Sequence, residues 1–133
     1  MTDSLWVYGD ASALVKLVSE EAESPALRAF LQGRGAVISS AIVAVEIRRA
    51  AARQPAVDGA AVLRFVNDLE LIAFDEAIAN AAAAIHPPLI RSLDAIHLAS
   101  ALALGSDLDV LVTYDGRMQE AAIALGLPVA APA

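Results

Sequence analysis

The sequence predicts an α/β fold in three layers, a central parallel sheet with helices packed on both faces. Three observations carry that prediction. Short apolar runs alternate with stretches of helical periodicity along the chain, the pattern that places successive strands side by side and parallel. The runs Leu5–Gly9 and Val110–Thr113 read as strands buried within a sheet. Both lead almost at once to an aspartate, Asp10 and Asp115. In open parallel sheets, sites form just beyond the carboxyl ends of the strands.

Taken in order, Leu5 to Gly9 is the first strand and Ala11 to Glu20 the first helix, with Leu14, Leu17 and Val18 on one side. Ser24 and Pro25 open a second helix as N-cap and first helical residue. Gly33 and Gly35 end it. A short strand follows at Ala36 to Ser39, and Ser40 caps a helix from Ala41 to about Arg53 that Pro55 stops. The next helix runs from about Val57 to Leu69, and Glu70 to Phe74 is a strand. Asp75 caps the alanine-rich helix Glu76 to Ile85. Pro87 and Pro88 break the chain before a helix from about Leu89 to Leu104, ended by Gly105. Val110 to Thr113, a helix from Gly116 to Leu125, and a short strand from Leu127 to Ala130 complete the alternation. No internal repeat or linker interrupts it, so residues 1–133 are expected to form one domain.

Composition narrows the function. No apolar stretch reaches the ~20 residues of a membrane span, and Leu93 to Leu104 is broken by Asp94 and His97. No basic segment precedes an apolar one at the N-terminus, so no signal peptide is expected. The chain has no cysteine, which excludes disulfides, thiolate metal sites and a cysteine nucleophile. A cytoplasmic protein with no membrane association is expected. The net charge of −7 argues against tight, non-specific binding to DNA. It leaves room for a nucleic-acid enzyme whose local basic rim and bound cations supply the attraction.

Four acids stand out. Asp10 and Asp115 sit at strand ends, where each would also cap the following helix. Glu46 lies among Ile42, Val43 and Ile47, with Arg49 as its ordinary surface partner. Asp94 has Ile90 and Leu98 one turn away on either side, in a nearly apolar helix where Asp is a poor helix former; its ordinary partners would be Arg91 or His97. Charges so placed are seldom buried unless paired or bound to a metal. The pattern points to a cation site.

The ordered set Tyr8-Gly9-Asp10-Ala11-Ser12-Ala13-Leu14-Val15-Lys16-Leu17, Ser39-Ser40-Ala41-Ile42-Val43-Ala44-Val45-Glu46, Leu93-Asp94-Ala95-Ile96-His97-Leu98-Ala99-Ser100-Ala101 and Val112-Thr113-Tyr114-Asp115 resembles a PIN domain. More narrowly, it resembles the toxin ribonuclease of a VapBC toxin–antitoxin pair. Each motif is short and tolerant, but the ordered set is specific and spans nearly the whole chain. Gly9 departs from the pattern, standing where bulkier residues are frequent, and is expected to loosen the backbone before Asp10.

The resemblance implies a PIN-like α/β/α sandwich and a metal-dependent endoribonuclease. Asp10, Glu46, Asp94 and Asp115 become the catalytic, metal-binding acids, and the ion is Mg²⁺ or Mn²⁺. Hard oxygen donors suit those ions, and without cysteines or a histidine pair zinc is not expected. Ser12 and Thr113 become candidates for holding water or the scissile phosphate. Arg91 and Arg117 are the preferred phosphate contacts among the cations near the acids, which also include Lys16, Arg48 and Arg49. His97 is expected in the core or on the surface rather than in the site. The resemblance further implies an RNA substrate, a cognate VapB-type antitoxin and a homodimer.

Three other readings compete. A PIN-like binding module without activity is disfavoured by the presence of all four acids. A phosphoacceptor receiver domain would need a lysine near the end of the chain, and the only lysine is Lys16. An RNA-processing PIN nuclease that is not a toxin differs from the toxin by gene context.

Overall fold

A computed structural model describes residues 5–133 of the chain. Five parallel strands form one sheet: β1 (Trp6–Gly9), β2 (Val37–Ser40), β3 (Glu70–Ile72), β4 (Leu108–Val112) and β5 (Val129–Ala130), in the order β3-β2-β1-β4-β5. The order runs outward from β1 in both directions. From β1 the chain moves through β2 to β3 on one side, then crosses back to place β4 against the other edge of β1. Gly9 pairs with Val112 in that register. The carboxyl ends of β1 and β4 are therefore the topological switch point, where neighbouring connections diverge and leave a crevice.

Seven α-helices are described: α1 (Ala11–Leu14), α2 (Ser24–Leu31), α3 (Val43–Ala52), α4 (Gly59–Asp68), α5 (Glu76–Ala83), α6 (Ser92–Ala103) and α7 (Gly116–Ala124). The period-two alternation of strand side chains sorts them into layers. Tyr8 and Leu111 point to one face, where they pack with Leu98 of α6 and Met118 and Ala122 of α7. Val7, Val110 and Val112 point to the other, against Ala13 and Leu27. Alongside, Leu14 packs with Val43 and Ile47 of α3 and Val62 and Val66 of α4. The three-layer α/β/α sandwich expected from the sequence is the observed architecture. No helix among the described residues is long and apolar enough to cross a membrane.

The expected elements are present with shifted ends. α1 stops at Leu14 instead of reaching Glu20, and the chain tightens into a 3₁₀ turn at Val15–Leu17. Ser24 is the reason: its hydroxyl donates to the Lys16 carbonyl at 2.7 Å and accepts the Glu21 amide at 2.9 Å. Ser24 is thus the first residue of α2 and a brace for the loop before it, while Glu23 occupies the N-cap position. α4 begins at Gly59 behind an unanticipated cap, Asp58, which accepts the Ala60 amide. α6 begins at Ser92 because Ile90 N–H is taken by the Pro87 carbonyl in a turn and Arg91 remains extended. Asp75 and Asp115 cap α5 and α7 as expected.

Gly9 does not loosen the backbone. A Cβ there would lie 2.8 Å from Leu14 Cδ2, and Leu14 is buried in the core. Glycine lets the first turn of α1 fold back directly over the end of β1, which sets the position of Asp10 between them. Gly35 serves a similar end before β2, where a Cβ would collide with the Leu5 carbonyl oxygen.

Candidate active site

Asp10 sits where β1 becomes α1 and is only 5 % exposed. Its Oδ1 accepts from the Ser12 hydroxyl at 2.6 Å and from the Ala13 amide at 3.1 Å. Its Oδ2 accepts from the Thr113 hydroxyl at 2.6 Å. Burial pushes this carboxyl above its usual range, and the two hydroxyls pull in the other direction. Ser12 and Thr113 also accept backbone amides, from Tyr114 at 2.9 Å and Asp115 at 3.2 Å. Each hydroxyl proton is thus committed to Asp10, and each oxygen holds the loop that leaves β4. The pair fastens Asp10 to the strand carrying Asp115.

Asp115 caps α7 through the Arg117 amide at 2.9 Å. Asp94, in the first turn of α6, comes into the same field. Burial raises its carboxyl above the usual range, and the charges of Asp115 and Asp10 raise it further. Neither Arg91 nor His97 pairs with it as a salt bridge. Three stretches of chain far apart in sequence thus bring carboxylates within electrostatic reach of Asp94, where the charges of His97 and Arg91 act against them.

Glu46 stands in the first turn of α3 and is held from the core. Its partner is His97 rather than Arg49, with His97 Nε2 2.7 Å from Glu46 Oε1. The His97 side chain is 2 % exposed and the Glu46 side chain 23 %. His97 Nδ1 lies 2.7 Å from the Tyr8 hydroxyl. Sequence reasoning left both residues out of the site. The available signal was the spacing of Asp94 and His97, three apart and so on one side of a helix, together with the need of any buried imidazole for two partners.

Two cavities flank the acids. One, of about 590 Å³, is walled by Val15, Ile42, Val45 and Leu93, with Ser12 and Glu46 on the site side and Arg49 and Arg53 also lining it. The other, of about 180 Å³, holds Asp94 between Arg91 and Arg117. Among the described residues, none of these four arginines is in a salt bridge. Lys16 differs from them: it bridges Glu21 at 2.8 Å and Glu23 at 2.9 Å and lies over the Tyr114 ring. It is a fastener of the loop before α2 rather than a free cation. Arg48 lines a separate cavity between α3 and α4, together with Gln54, Pro55 and Val62.

The donor set suits a hard divalent cation. The acids are oxygen donors, and burial disfavours the charged forms of Asp10 and Asp94. Among the described residues, no three His, Asp or Glu side chains are gathered closely enough to share one ion. Mg²⁺ usually keeps several waters and takes one or two carboxylates directly.

A parallel sandwich with acids at its switch point is the arrangement expected of a PIN domain. The PIN domain family matches residues 7–124, and the chain belongs to that family. Its relatives are narrower in kind. It is 43% identical to Ribonuclease VapC46 of Mycobacterium tuberculosis over 126 residues, covering 95% of this chain and 97% of that protein. It is 45% identical to Ribonuclease VapC35 over 130 residues, covering 95% and 96%, and 36% identical to Ribonuclease VapC47 over 132 residues, covering 95% and 96%, both also from Mycobacterium tuberculosis.

Proposed function

We propose that this chain is a metal-dependent endoribonuclease of the VapC kind, acting in the cytoplasm as the toxin of a toxin–antitoxin pair. One observation carries the catalytic part: across the β1/β4 switch point, half-buried Asp94 lies in the field of both Asp115 and Asp10, which with burial raises its carboxyl against the opposing charges of His97 and Arg91. Such an arrangement opposes folding and persists where an ion completes it. Asp10, Asp94 and Asp115, with Glu46 at the edge of the larger cavity, are the residues that would hold Mg²⁺ or Mn²⁺. When bound, the ion supplies positive charge beside the phosphate and acidifies water for hydrolysis.

The chain's own groups do the rest. Ser12 and Thr113 fix the Asp10 carboxylate in one orientation and so act on the substrate through it. Arg91 and Arg117, exposed on either side of Asp94, hold the phosphates that flank the cut. The product of the reaction is a cleaved phosphodiester with one water added.

The apolar wall of the larger cavity, with Val45 and Leu93 exposed, supports an antitoxin segment that lays apolar side chains there and a basic one toward Glu46. Co-expression with the adjacent gene product, followed by pull-down, should recover a stable complex. The same family reading carries a homodimer, checked by light scattering across concentrations. The decisive assay is cleavage of an RNA pool by the partner-free protein with Mg²⁺ or Mn²⁺. Cleavage is expected with either ion and absent with EDTA or in Asp94→Asn. Folded wild-type protein that cuts nothing with either ion would instead support an inactive binding module.

A further inference from the structure

From the line of contacts Ser40–Tyr8–His97–Glu46 we infer that Tyr8 and His97 are positioning residues, a relay through the core that fixes the Glu46 carboxylate at the edge of the site. The inference rests on the assignment of Glu46 to the active site proposed above.

The relay begins at the backbone. The Ser40 amide at the end of β2 donates to the Tyr8 hydroxyl oxygen at 3.1 Å. Tyr8 is fully buried in β1, and its ring meets the His97 ring edge to face at 5.8 Å between centroids. Burial pushes the phenol above its usual range, so its proton stays on. The 2.7 Å line from the Tyr8 oxygen to His97 Nδ1 is then an O–H donated to that nitrogen. The other ring nitrogen faces a carboxylate, which is an acceptor only. His97 Nε2 therefore carries the hydrogen and donates it to Glu46 Oε1 at 2.7 Å. In the neutral imidazole, the tautomer with its hydrogen on Nε2 satisfies both contacts at once.

This arrangement does more than stabilise the core. The three side-chain torsions of Glu46 are pinned at its tip by a donor that cannot itself turn, because the ring is packed and its far nitrogen is engaged. Groups that orient a metal-site carboxylate in this way commonly set affinity and turnover by about 10–100-fold. A filler role for His97 would need neither the Tyr8 hydroxyl nor a specified tautomer.

The test uses the full chain without its antitoxin. Nitrogen-15 spectra of the wild-type imidazole should show Nε2 protonated and Nδ1 bare. Tyr8→Phe keeps the ring and removes the donor to Nδ1, so the Nδ1 resonance should shift to that of a nitrogen without a hydrogen bond. In Tyr8→Phe and His97→Leu, the Kd for Mn²⁺ measured on the metal-free protein should rise about tenfold, and kcat on RNA should fall by a similar factor with KM unchanged. His97→Gln, which places an amide N–H near the former Nε2, should recover most of both. A proton on Nδ1 in the wild type would overturn the relay. So would unchanged Mn²⁺ affinity and kcat in Tyr8→Phe, which reports even if His97→Leu fails to fold. Glu46→Gln separates the two levels. If it keeps Mn²⁺ affinity and kcat, the assignment of Glu46 falls; if it loses both while His97→Leu keeps both, the relay alone falls.

Discussion

Asp94→Asn changes one charge with almost no change of shape, and the surroundings of Asp94 define what it should do. The carboxylate is disfavoured by burial and by Asp115 and Asp10. The amide should therefore leave the fold intact and raise the melting temperature in EDTA, while abolishing RNA cleavage. Full cleavage by this variant would remove Asp94 from the site. Arg117→Ala should raise KM for RNA about tenfold, the worth of one charge-assisted bond, with little change in melting temperature. Gly9→Ala should cost about 1–3 kcal/mol by denaturant unfolding, since the added methyl meets the buried Leu14. Single residues were legible in the sequence to different depths. Asp10 and Asp115 announced themselves by following strands. Glu46 and Asp94 did so by interrupting apolar faces. Tyr8 and His97 did not, because an aromatic in a strand and a histidine in an apolar helix read as packing until a contact joins residues 89 positions apart.

The helices and strands were easier to find than to delimit. α5 was read correctly at its start because Asp75 is a strong cap, and it accepts the Ile78 amide at 2.9 Å. Asp75→Ala should cost roughly 1 kcal/mol in thermal or urea unfolding, with RNA cleavage unaffected because α5 packs on the outer side of α6. α1 was read as running on to Glu20, well past its end at Leu14, because nothing in Val15 to Glu20 forbids helix locally. What ends it is tertiary: Ser24 takes the Lys16 carbonyl, and Glu21 and Glu23 take its ammonium. Those partners lie across a turn whose path the periodicity does not reveal. α6 was read as starting too early for a similar reason, since the turn closed by the Pro87 carbonyl spends residues that look helical.

At the scale of the molecule, the raised carboxyls of Asp10 and Asp94 tie stability to pH. Asp10 and Asp94 hold protons more tightly folded than unfolded. Their contribution to stability is present in full below the ordinary carboxylate value of 3.8 and is lost as pH rises through the folded values. In EDTA, the melting-temperature advantage of Asp94→Asn over wild type should thus be largest at neutral pH and shrink as pH falls. Adding Mg²⁺ at neutral pH should stabilise the wild type more than the variant. An advantage that grows on acidification would contradict the shared field of the three aspartates. The layer architecture was fully legible, because alternation of strands and helices admits few arrangements. The strand order was not, since it depends on which edge of β1 receives β4.

That order has a temporal consequence. β1 lies at the centre of the sheet but is made first, and its neighbour β4 lies about a hundred residues later in the chain. Thr113, which clamps Asp10, is separated from it by 103 positions. During synthesis, Asp10 therefore emerges from the ribosome long before the strand that orients it. A nascent chain released before β4 carries the first acid with no pocket around it. The Asp10 clamp therefore cannot close until the chain has been made through Thr113.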